Sequence, residues 1–254
     1  MTGKTPRLTC TKVTGSFLSK QTRICAIAPD WNFADQIKSG QLTILNIAIA
    51  EESGERDFYV NLSDDHWSSL DPEWGKRKGK FETIKVRTER FDTIISRFGI
   101  PHYLKIDIEG GDLTVLHQLQ GCPQKPQLIS VEEHSLEYFP LLWGLGYRGF
   151  KIVNQGIVQY AEYPGWKFKP GTSGPFGDEA PGLWLPFGDA ITDYMLNIRD
   201  CRDRELFTIN WFDIHATQDS SKLPDDFPYP VKRSSKSTLR RGLSWIKRKA
   251  LNRD

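Results

Sequence analysis

Short runs of β-branched residues alternate with segments of helical spacing along most of this chain. The runs that predict strands span residues 22–28, 42–50, 57–62, 82–88, 102–110, 127–133 and 150–154. Helical spacing predicts helices over residues 90–99, 111–121 and 135–146. Strands and helices that interleave in this way are typical of βαβ units. The sequence therefore predicts an α/β fold built on a mostly parallel sheet.

The charged residues divide the chain into an acidic body and a basic tail. Residues 232–254 contain nine Lys or Arg and one Asp, whereas the residues before them contain 25 basic and 31 acidic side chains. We therefore expect one domain over residues 1–228 and a basic tail over residues 229–254. An acidic body argues against nucleic-acid binding. The tail is either solvated or in contact with an anionic surface such as a lipid membrane.

Hydropathy and residue spacing bear on location and metal binding. No apolar run approaches the roughly 20 residues that a membrane-spanning helix needs. The N-terminal residues include Lys and Arg but no apolar segment of a secretory signal. We therefore expect a cytoplasmic protein. The four Cys and five His lack metal-binding spacing, so we expect no metal site.

The strand predicted over residues 102–110 carries an unusual row of charges. Alternation places Lys105, Asp107 and Glu109 on one face and apolar residues on the other. Charges on a sheet strand need a partner or a cavity, because burying them unpaired is costly. Two glycines follow, which puts the carboxylates at the carboxyl end of the strand, where open α/β sheets bind ligands. The alternative is an edge strand with a solvated face.

A second polar pair closes the strand predicted over residues 127–133. Glu132 and His134 share a face, and both can reach the crevice at the end of the sheet. We expect them on the substrate side of a site. The alternative is a capping carboxylate and a surface histidine.

Two long segments have the composition of functional loops. Residues 64–80 are polar and contain two Trp, and residues 164–188 contain eleven Gly or Pro and five aromatic residues. Loops of this length inside a compact domain are often lids. We expect the second segment to fold over the carboxyl end of the sheet and to present Trp166, Phe168 or Trp184 to a substrate. The alternative is a cover for the outer face of the sheet.

Several sequence blocks follow one another in a characteristic order: LTILNIAIAEESGERDFYV, WSSLD, ETIKVRTERFDTII, YLKIDIEGGDLTVL and LISVEEH. In this order they resemble the FkbM family of S-adenosylmethionine-dependent methyltransferases, over about residues 22–160 and more weakly to 216. The block KIDIEG after RFDTI is the most specific part. The resemblance implies a Rossmann-like sheet with a reversed final hairpin. It also implies methyl transfer from S-adenosylmethionine to a hydroxyl group, often on a sugar or a secondary metabolite.

The resemblance further implies roles for individual residues. The positions that match the cofactor-binding stretches are Asn46, Ala48, Ile49, Ser68 and Ser69. The positions that match KIDIEG, near the methyl group and the acceptor, are Lys105, Asp107 and Glu109. In methyl transfer, Asp107 or His134 would act as the general base that removes the hydroxyl proton.

The N-terminal part departs from the family pattern. The family holds its cofactor with a strand and a glycine-rich D-x-G-A-N-x-G loop, whereas only Gly3 and Gly15 precede residue 22 here. The sheet is therefore expected to lack or alter its first strand. Ala28 stands where the family has an acidic residue for the ribose, and Asp30 is expected to replace it. Two hypotheses follow: an active O-methyltransferase, or a catalytically silent protein that is either a truncated remnant or an acceptor-binding module.

Overall fold

The computed structural model describes residues 10–14, 34–40, 42–64, 67–158, 160, 162–163, 166–167, 174–202, 204–206 and 211–224. The strand predicted over 22–28, Asp30, Phe168 and the basic tail over 229–254 lie outside these residues. The described strands are β1 (Cys10–Thr14), β2 (Ala48–Ile49), β3 (Gly54–Asn61), β4 (Phe81–Glu89), β5 (Tyr103–Asp107), β6 (Leu128–Glu132), β7 (Gly149–Asn154), β8 (Glu162–Tyr163), β9 (Trp166–Lys167), β10 (Leu185–Pro186) and β11 (Phe212–Thr217). The described helices are α1 (Ala34–Lys38), α2 (Pro72–Gly75), α3 (Phe91–Phe98), α4 (Asp112–Gln120), α5 (Tyr138–Gly144), α6 (Gln155–Val158) and α7 (Phe187–Asn197).

The strands form a large six-stranded sheet in the order β1-β5-β6-β11-β7-β10, a three-stranded sheet in the order β2-β4-β3, and a β8–β9 pair. In the large sheet β1, β5 and β6 are parallel, but β11 runs antiparallel between β6 and β7. The pairs β7–β10, β3–β4 and β8–β9 are also antiparallel, whereas β2–β4 is parallel. The α/β prediction therefore holds, but the prediction of a mostly parallel sheet is wrong, because most pairings between described strands are antiparallel.

Reversals of chain direction explain this difference. β3 and β4 pair along their full length, and β11 enters the sheet between two strands that precede it in the chain. Antiparallel neighbours need no helical crossover, and an alternation of strands and helices does not reveal the direction of a late strand. The antiparallel pair of β7 and β11 corresponds to the reversed final hairpin that the resemblance implies.

A strand lies beside β5 at the position where an absent or altered first strand is predicted. β1 pairs in parallel with β5, with Val13 opposite Ile106 and Thr14 opposite Asp107. Of the two alternatives, that the sheet lacks its first strand is therefore wrong, and that it alters this strand stays a prediction. Because β6 pairs on the other side, β5 is an interior strand, which excludes the alternative of a solvated edge strand.

One face of the large sheet forms the main core together with the helices. Its buried residues include Leu104, Ile106, Ile129, Val131 and Ile214 from the strands and Val115, Leu116, Leu119, Phe139 and Tyr194 from the helices. Each buried side chain of this size stabilises the fold by roughly 1.5–3 kcal/mol. None of the described helices is long and apolar enough to span a membrane.

The opposite face of the large sheet carries buried polar side chains. Lys105, Ser130, His215 and Lys151 pair in register across β5, β6, β11 and β7, so they point to the same face. All four are at most 3% exposed. We call these four residues the buried polar row.

Residues 174–184 cover the buried polar row. Lys151 Nζ donates hydrogen bonds to the carbonyl oxygens of Gly177 at 3.2 Å and Ala180 at 2.9 Å. These bonds satisfy a buried ammonium group and hold the loop against the sheet. This part of the predicted lid therefore lies on the face of the sheet.

The aromatic side chains of this loop point to the sheet face as well. The ring of Phe176 lies 4.6 Å from that of Tyr103, the first residue of β5. Trp184 is buried, with Lys151 Nζ 4.6 Å from its ring centre. The expectation that Trp184 faces a substrate at the carboxyl end is therefore not met. Residues 174–184 match the alternative of a cover instead.

Candidate functional site

The turn that joins β5 to α4 holds Glu109 in an uncommon backbone conformation. The φ angles of Glu109 and Gly110 are 49° and 89°, both in the left-handed region. A Cβ atom on Gly110 would lie 2.6 Å from Cδ1 of Trp74, so only glycine fits this approach. Asp112 Oδ1 accepts a hydrogen bond from the backbone N–H of Ile108 at 3.2 Å. The turn therefore ends the alternation of β5 and orients the Glu109 carboxyl group independently of the strand.

Asp107, Glu109 and Glu132 bring three carboxyl groups together at the carboxyl ends of β5 and β6. One oxygen of each group lies within 4.8 Å of the other two. β5 and β6 are parallel neighbours, which places the ends that carry Asp107 and Glu132 side by side. We call these three residues the carboxylate cluster. Three of the predicted site residues are thus brought together.

Each group of the carboxylate cluster lies next to a side-chain cation. The three pairs are Lys105 Nζ with Asp107 Oδ2 at 3.8 Å, Arg77 Nη2 with Glu109 Oε2 at 3.3 Å, and His134 Nε2 with Glu132 Oε2 at 3.3 Å. Oxygen atoms at this spacing are the ligands that a divalent cation prefers. Each carboxyl group of the cluster therefore has one side-chain cation beside it.

Glu109 and His134 hold protons at neutral pH. Burial raises the pKa of Glu109 to about 8, with further contributions from Glu132 and Asp107. Burial alone would lower the pKa of His134, but Glu132, Asp112 and Glu109 raise it to about 9. A protonated imidazole donates hydrogen bonds and cannot accept a proton. Of the two candidate bases, His134 is therefore excluded at neutral pH, which leaves Asp107 as the candidate.

A chain of buried polar contacts runs from the carboxylate cluster into the sheet. Lys105 Nζ donates to Asp213 Oδ1 at 2.7 Å, and Gln155 Nε2 donates to Asp213 Oδ2 at 2.8 Å. Gln155 Oε1 accepts from the backbone N–H of Gly174 at 3.1 Å. Burial alone would lower the pKa of Lys105, but Asp213 and Asp107 raise it. Lys105 is therefore a fixed cation between the cluster and Asp213.

Residues 67–77 cover the turn with aromatic and basic side chains. The guanidinium group of Arg77 lies 3.9 Å from the ring centre of Trp74 and 4.7 Å from that of Trp67. The ring of Trp74 lies 4.6 Å from the ring of His134. The predicted loop over 64–80 therefore does reach the carboxyl end of the sheet.

The two serines expected to contact the cofactor are buried and bonded within the protein. Ser68 Oγ accepts a hydrogen bond from the backbone N–H of Asn61 at 3.1 Å. Ser69 Oγ donates to the carbonyl oxygen of Glu109 at 2.6 Å and accepts from the backbone N–H of Asp71 at 2.9 Å. Ser69 thus belongs to the site because it holds the turn.

The other predicted residues have varied positions. Asn46 is exposed, Ala48 is partly buried in β2, and Ile49 is buried in the main core. Trp166 lies in β9, and Trp184 belongs to residues 174–184, which cover the buried polar row. The structure therefore brings together Asp107, Glu109 and Glu132, and the cofactor and substrate roles of the other residues stay predictions.

The sequence does not predict four residues of the site. Asp213 has a local signal, because polar residues alternate in the sequence FDIHAT of β11 as they do in β5. Gln155 has none. Arg77 and Trp74 lie in a loop that the composition marks as functional, but no pattern there indicates which side chains reach the turn.

A cavity of about 100 Å³ adjoins the carboxylate cluster. Its lining residues are Glu132, Glu133, His134, Ile198, Glu205, Trp211 and Phe212. A wider depression of about 640 Å³, with Gln120, Lys125 and Gln218 in its wall, lies at the amino end of β6 and thus opposite to the cluster. The smaller cavity is the one that shares residues with the candidate site.

Comparison with known proteins identifies the family. The sequence model described as the methyltransferase FkbM domain matches residues 8–168. This range is more than half of the 254 residues, and it includes both strands that carry the carboxylate cluster. No curated protein and no solved structure gives a significant match. The chain belongs to the FkbM methyltransferase family.

Proposed function

We propose that this chain transfers a methyl group from S-adenosylmethionine to a hydroxyl group of a sugar or a secondary metabolite. The observation that carries the proposal is the convergence of Asp107, Glu109 and Glu132 at the ends of two adjacent parallel strands. Open α/β sheets bind their ligands at this end. Membership of a methyltransferase family supports the reaction class.

The carboxylate cluster suits a positively charged ligand. S-adenosylmethionine is positive at its sulfonium and amino groups, and carboxylates attract both charges. Asp107 and Glu132 would hold this part of the cofactor, and Asn46 and Ala48 would border the adenine, as the resemblance implies. When bound, the cofactor supplies an electrophilic methyl group.

Asp107 would accept the proton of the acceptor hydroxyl group at its carboxylate. Lys105, held by Asp213 at 2.7 Å, keeps a fixed positive charge beside that carboxylate. His134 and the protonated Glu109 would donate hydrogen bonds that orient the acceptor. General-base catalysis contributes about 10²–10⁴ in rate, and alignment of the reacting atoms contributes further.

Transfer of label from methyl-labelled S-adenosylmethionine to a panel of monosaccharides and polyketide alcohols tests the proposal. We expect Asp107→Asn to lower the rate by about 10²–10⁴. The matched control is Asp57→Asn, on the exposed part of β3, which should keep the rate of the parent chain. Unchanged transfer by Asp107→Asn would remove Asp107 from the mechanism.

A second candidate function is an acceptor-binding protein that transfers no methyl group. It is favoured by Ala28, which stands where the resemblance implies an acidic residue for the ribose. Loss of the ribose carboxylate alone weakens cofactor binding by about 10- to 100-fold. Calorimetric titration with S-adenosylhomocysteine separates the two functions. A dissociation constant in the low micromolar range supports the enzyme, and absence of heat supports the binding protein.

We also propose a cytoplasmic protein whose basic tail contacts anionic surfaces. Nine Lys or Arg within residues 232–254 support this contact. Co-sedimentation with anionic lipid vesicles should be stronger for the full chain than for a chain of residues 1–230. Equal sedimentation of the two would contradict the contact.

A further inference from the structure

The turn between β5 and α4 places Glu109 in a backbone conformation that its surroundings must maintain. Glu109 has a φ of 49°, in the left-handed region that side chains other than glycine rarely adopt. Residues in such conformations persist only where neighbouring groups hold them there. The contacts that hold this turn therefore determine where the Glu109 carboxyl group points.

The hydroxyl group of Ser69 bonds directly to the backbone of Glu109. Ser69 is 1% exposed, and its Oγ atom donates to the carbonyl oxygen of Glu109 at 2.6 Å. A serine hydroxyl has one proton to donate, so this bond leaves no donor for a cofactor. The same oxygen atom accepts from the backbone N–H of Asp71, the residue that precedes α2, at 2.9 Å. Ser69 thus joins the turn to the start of α2.

The backbone of Ser69 is itself fixed by β3. Its N–H donates to the carbonyl oxygen of Tyr59 at 3.0 Å, and its carbonyl oxygen accepts from the N–H of Tyr59 at 2.8 Å. Tyr59 lies in β3, which pairs with β4 along its full length. Ser69 therefore connects the Glu109 turn to the three-stranded sheet, whereas the carboxylate cluster is carried by the large sheet.

Trp74 and Arg77 contact other atoms of the same turn. The indole of Trp74 lies so close to Gly110 that a Cβ atom there would be 2.6 Å from its Cδ1 atom. Arg77 Nη2 lies 3.3 Å from Glu109 Oε2. The Ser69 bond differs from both contacts because it fixes the backbone carbonyl group of Glu109. The dihedral angles of the turn, and with them the direction of the carboxyl group, therefore depend most directly on Ser69.

We propose that Ser69 is a positioning residue, whose hydroxyl group holds the turn so that the Glu109 carboxyl group stays beside Asp107 and Glu132. The consequence for an acceptor rests on the proposed methyl transfer at the carboxylate cluster. Without the Ser69 bond, the turn is free to relax to an ordinary conformation, and the Glu109 carboxyl group is free to turn towards solvent. Ser69 thus acts on the reaction through Glu109 and not as the cofactor contact that the resemblance implies.

The titration of the Glu109 carboxyl group in the full chain tests this role. Its carboxyl carbon resonance, assigned with Glu109→Gln, is followed by NMR from about pH 4 to about pH 10. Burial and the neighbouring carboxylates raise the pKa of Glu109 to about 8, whereas His134 and Arg77 oppose the shift. Burial is the largest cause. We therefore expect Ser69→Ala to lower the midpoint by about one pH unit or more, towards 4.5.

Ser68→Ala is the matched control. Ser68 is also buried, but its Oγ atom accepts a hydrogen bond from the backbone N–H of Asn61 in β3 and not from the turn. Both variants remove one buried hydroxyl group, but only Ser69→Ala should move the Glu109 midpoint. Ser69→Cys keeps the shape of the side chain with a weaker donor. It should move the midpoint in the same direction, and it supplies the measurement if Ser69→Ala does not fold.

Kinetics separate positioning from a contact with the cofactor. In the labelled-methyl assay we expect Ser69→Ala to lower kcat by about tenfold or more, because the acceptor is misaligned. The KM for S-adenosylmethionine should stay within about twofold of the parent value. A contact with the cofactor would instead raise KM at unchanged kcat.

The proposal would be overturned by equal Glu109 midpoints in the parent chain and both Ser69 variants, by a parent midpoint near 4.5, or by a rise in KM alone. An equal movement of the midpoint in Ser68→Ala would also overturn it. Calorimetry with S-adenosylhomocysteine on the parent chain tests the proposed function separately. Binding of that probe with an unmoved midpoint would refute the role of Ser69 alone. A midpoint that moves only in the Ser69 variants, without binding of that probe, would support the contact of Ser69 with the turn and refute methyl transfer.

Discussion

The carboxylate cluster and the buried polar row lie on the same sheet, but they differ in exposure to solvent and in the direction in which the pKa of their histidine is shifted. In the cluster the three acidic side chains keep 14–22% of their surface exposed. In the row every member is at most 3% exposed. The pKa of His134 at the cluster is raised to about 9, whereas that of His215 in the row is lowered to about 3.

The neighbours of the two histidines explain the contrast. Burial lowers the pKa of both imidazoles. His134 is surrounded by carboxylates that more than offset this effect, whereas the ammonium groups of Lys105 and Lys151 lower the pKa of His215 further. Polar side chains on a strand therefore do not identify a site by themselves. The sign of the neighbouring charge and the access of solvent decide what each group can do.

We expect the largest difference in stability between the two regions for a substitution of Asp213. Asp213→Asn leaves the Lys105 ammonium group buried without its closest carboxylate, which should lower the free energy of unfolding by about 3–5 kcal/mol. Asp107→Asn removes a charge from a partly exposed position and should cost about 1 kcal/mol or less. Urea unfolding of both variants measures the difference.

A double variant distinguishes charge from packing at this position. Lys105→Met with Asp213→Asn removes both charges, so it should recover much of the stability that Asp213→Asn loses. If Asp213→Asn and Asp107→Asn lower the free energy of unfolding by the same amount, the buried contact of Lys105 with Asp213 is no stronger than its partly exposed contact with Asp107, which would contradict this prediction.

The parts of the fold that depend on short stretches of sequence could be predicted. Alternation in β5 identifies Lys105 and Asp107, and the helix predicted over 111–121 agrees with α4 to one residue at each end. The Gly110 turn follows from the glycine pair. In each case the determining residues are neighbours in the chain, so their spacing reflects the geometry directly.

The parts that depend on distant residues could not be predicted. Asp213 reaches Lys105 across 108 positions of the chain, and only the antiparallel placement of β11 brings them together. The place of Trp184 over Lys151 is a second example, since composition marks an aromatic loop without showing which end of the sheet it covers. Arg77 meets Glu109 through a loop with no periodic pattern.

The second effect is expected at the turn of the cluster. Gly110→Ala places a Cβ atom 2.6 Å from Trp74 on a residue with a φ of 89°. Strain and displacement of the indole should together lower the free energy of unfolding by about 1–3 kcal/mol. Thermal unfolding measures the loss of stability, and tryptophan fluorescence measures the displacement of the Trp74 indole. Gly144→Ala, where a Cβ meets open space, is the control and should change neither.

The third effect is a dependence of stability on pH that arises from His134 and Glu109 at the cluster. A folded-state pKa of about 9 for His134, against 6.5 without the fold, contributes stability below about pH 6.5 that is lost as pH rises to about 9. Glu109, raised from 4.5 to about 8, acts with the same sign because the folded state holds its proton more tightly. These two groups should therefore lower stability between about pH 4.5 and pH 9, and both contribute between about pH 6.5 and pH 8. His134→Gln should flatten this slope, and an equally steep slope in that variant would contradict the ion pair with Glu132.

The smallest effect is expected in the buried polar row, at His215. Both ring nitrogens are buried without a hydrogen-bond partner among the described residues, and Nε2 is 3.9 Å from Asp213 Oδ2, beyond hydrogen-bond distance. His215→Leu removes these polar atoms and keeps an apolar body, so stability at about pH 7 should stay equal or rise by up to about 1 kcal/mol.

Acid should enlarge the advantage of His215→Leu. The fold lowers the pKa of His215 from 6.5 to about 3. As pH falls below about 6.5, the imidazole of the unfolded chain takes up a proton before that of the folded chain does. The free energy of unfolding of the parent chain is therefore highest above about pH 6.5 with respect to this group, and it decreases as pH falls towards 3. The variant lacks this loss, and its advantage should grow as pH falls from about 6.5 towards 4. The control His117→Leu, exposed on α4, should change stability by no more than about 0.5 kcal/mol. If His215→Leu instead lowers the free energy of unfolding by more than about 1 kcal/mol at neutral pH, the imidazole makes a hydrogen bond inside the fold. The buried polar row would then hold its histidine with a partner, as the carboxylate cluster does.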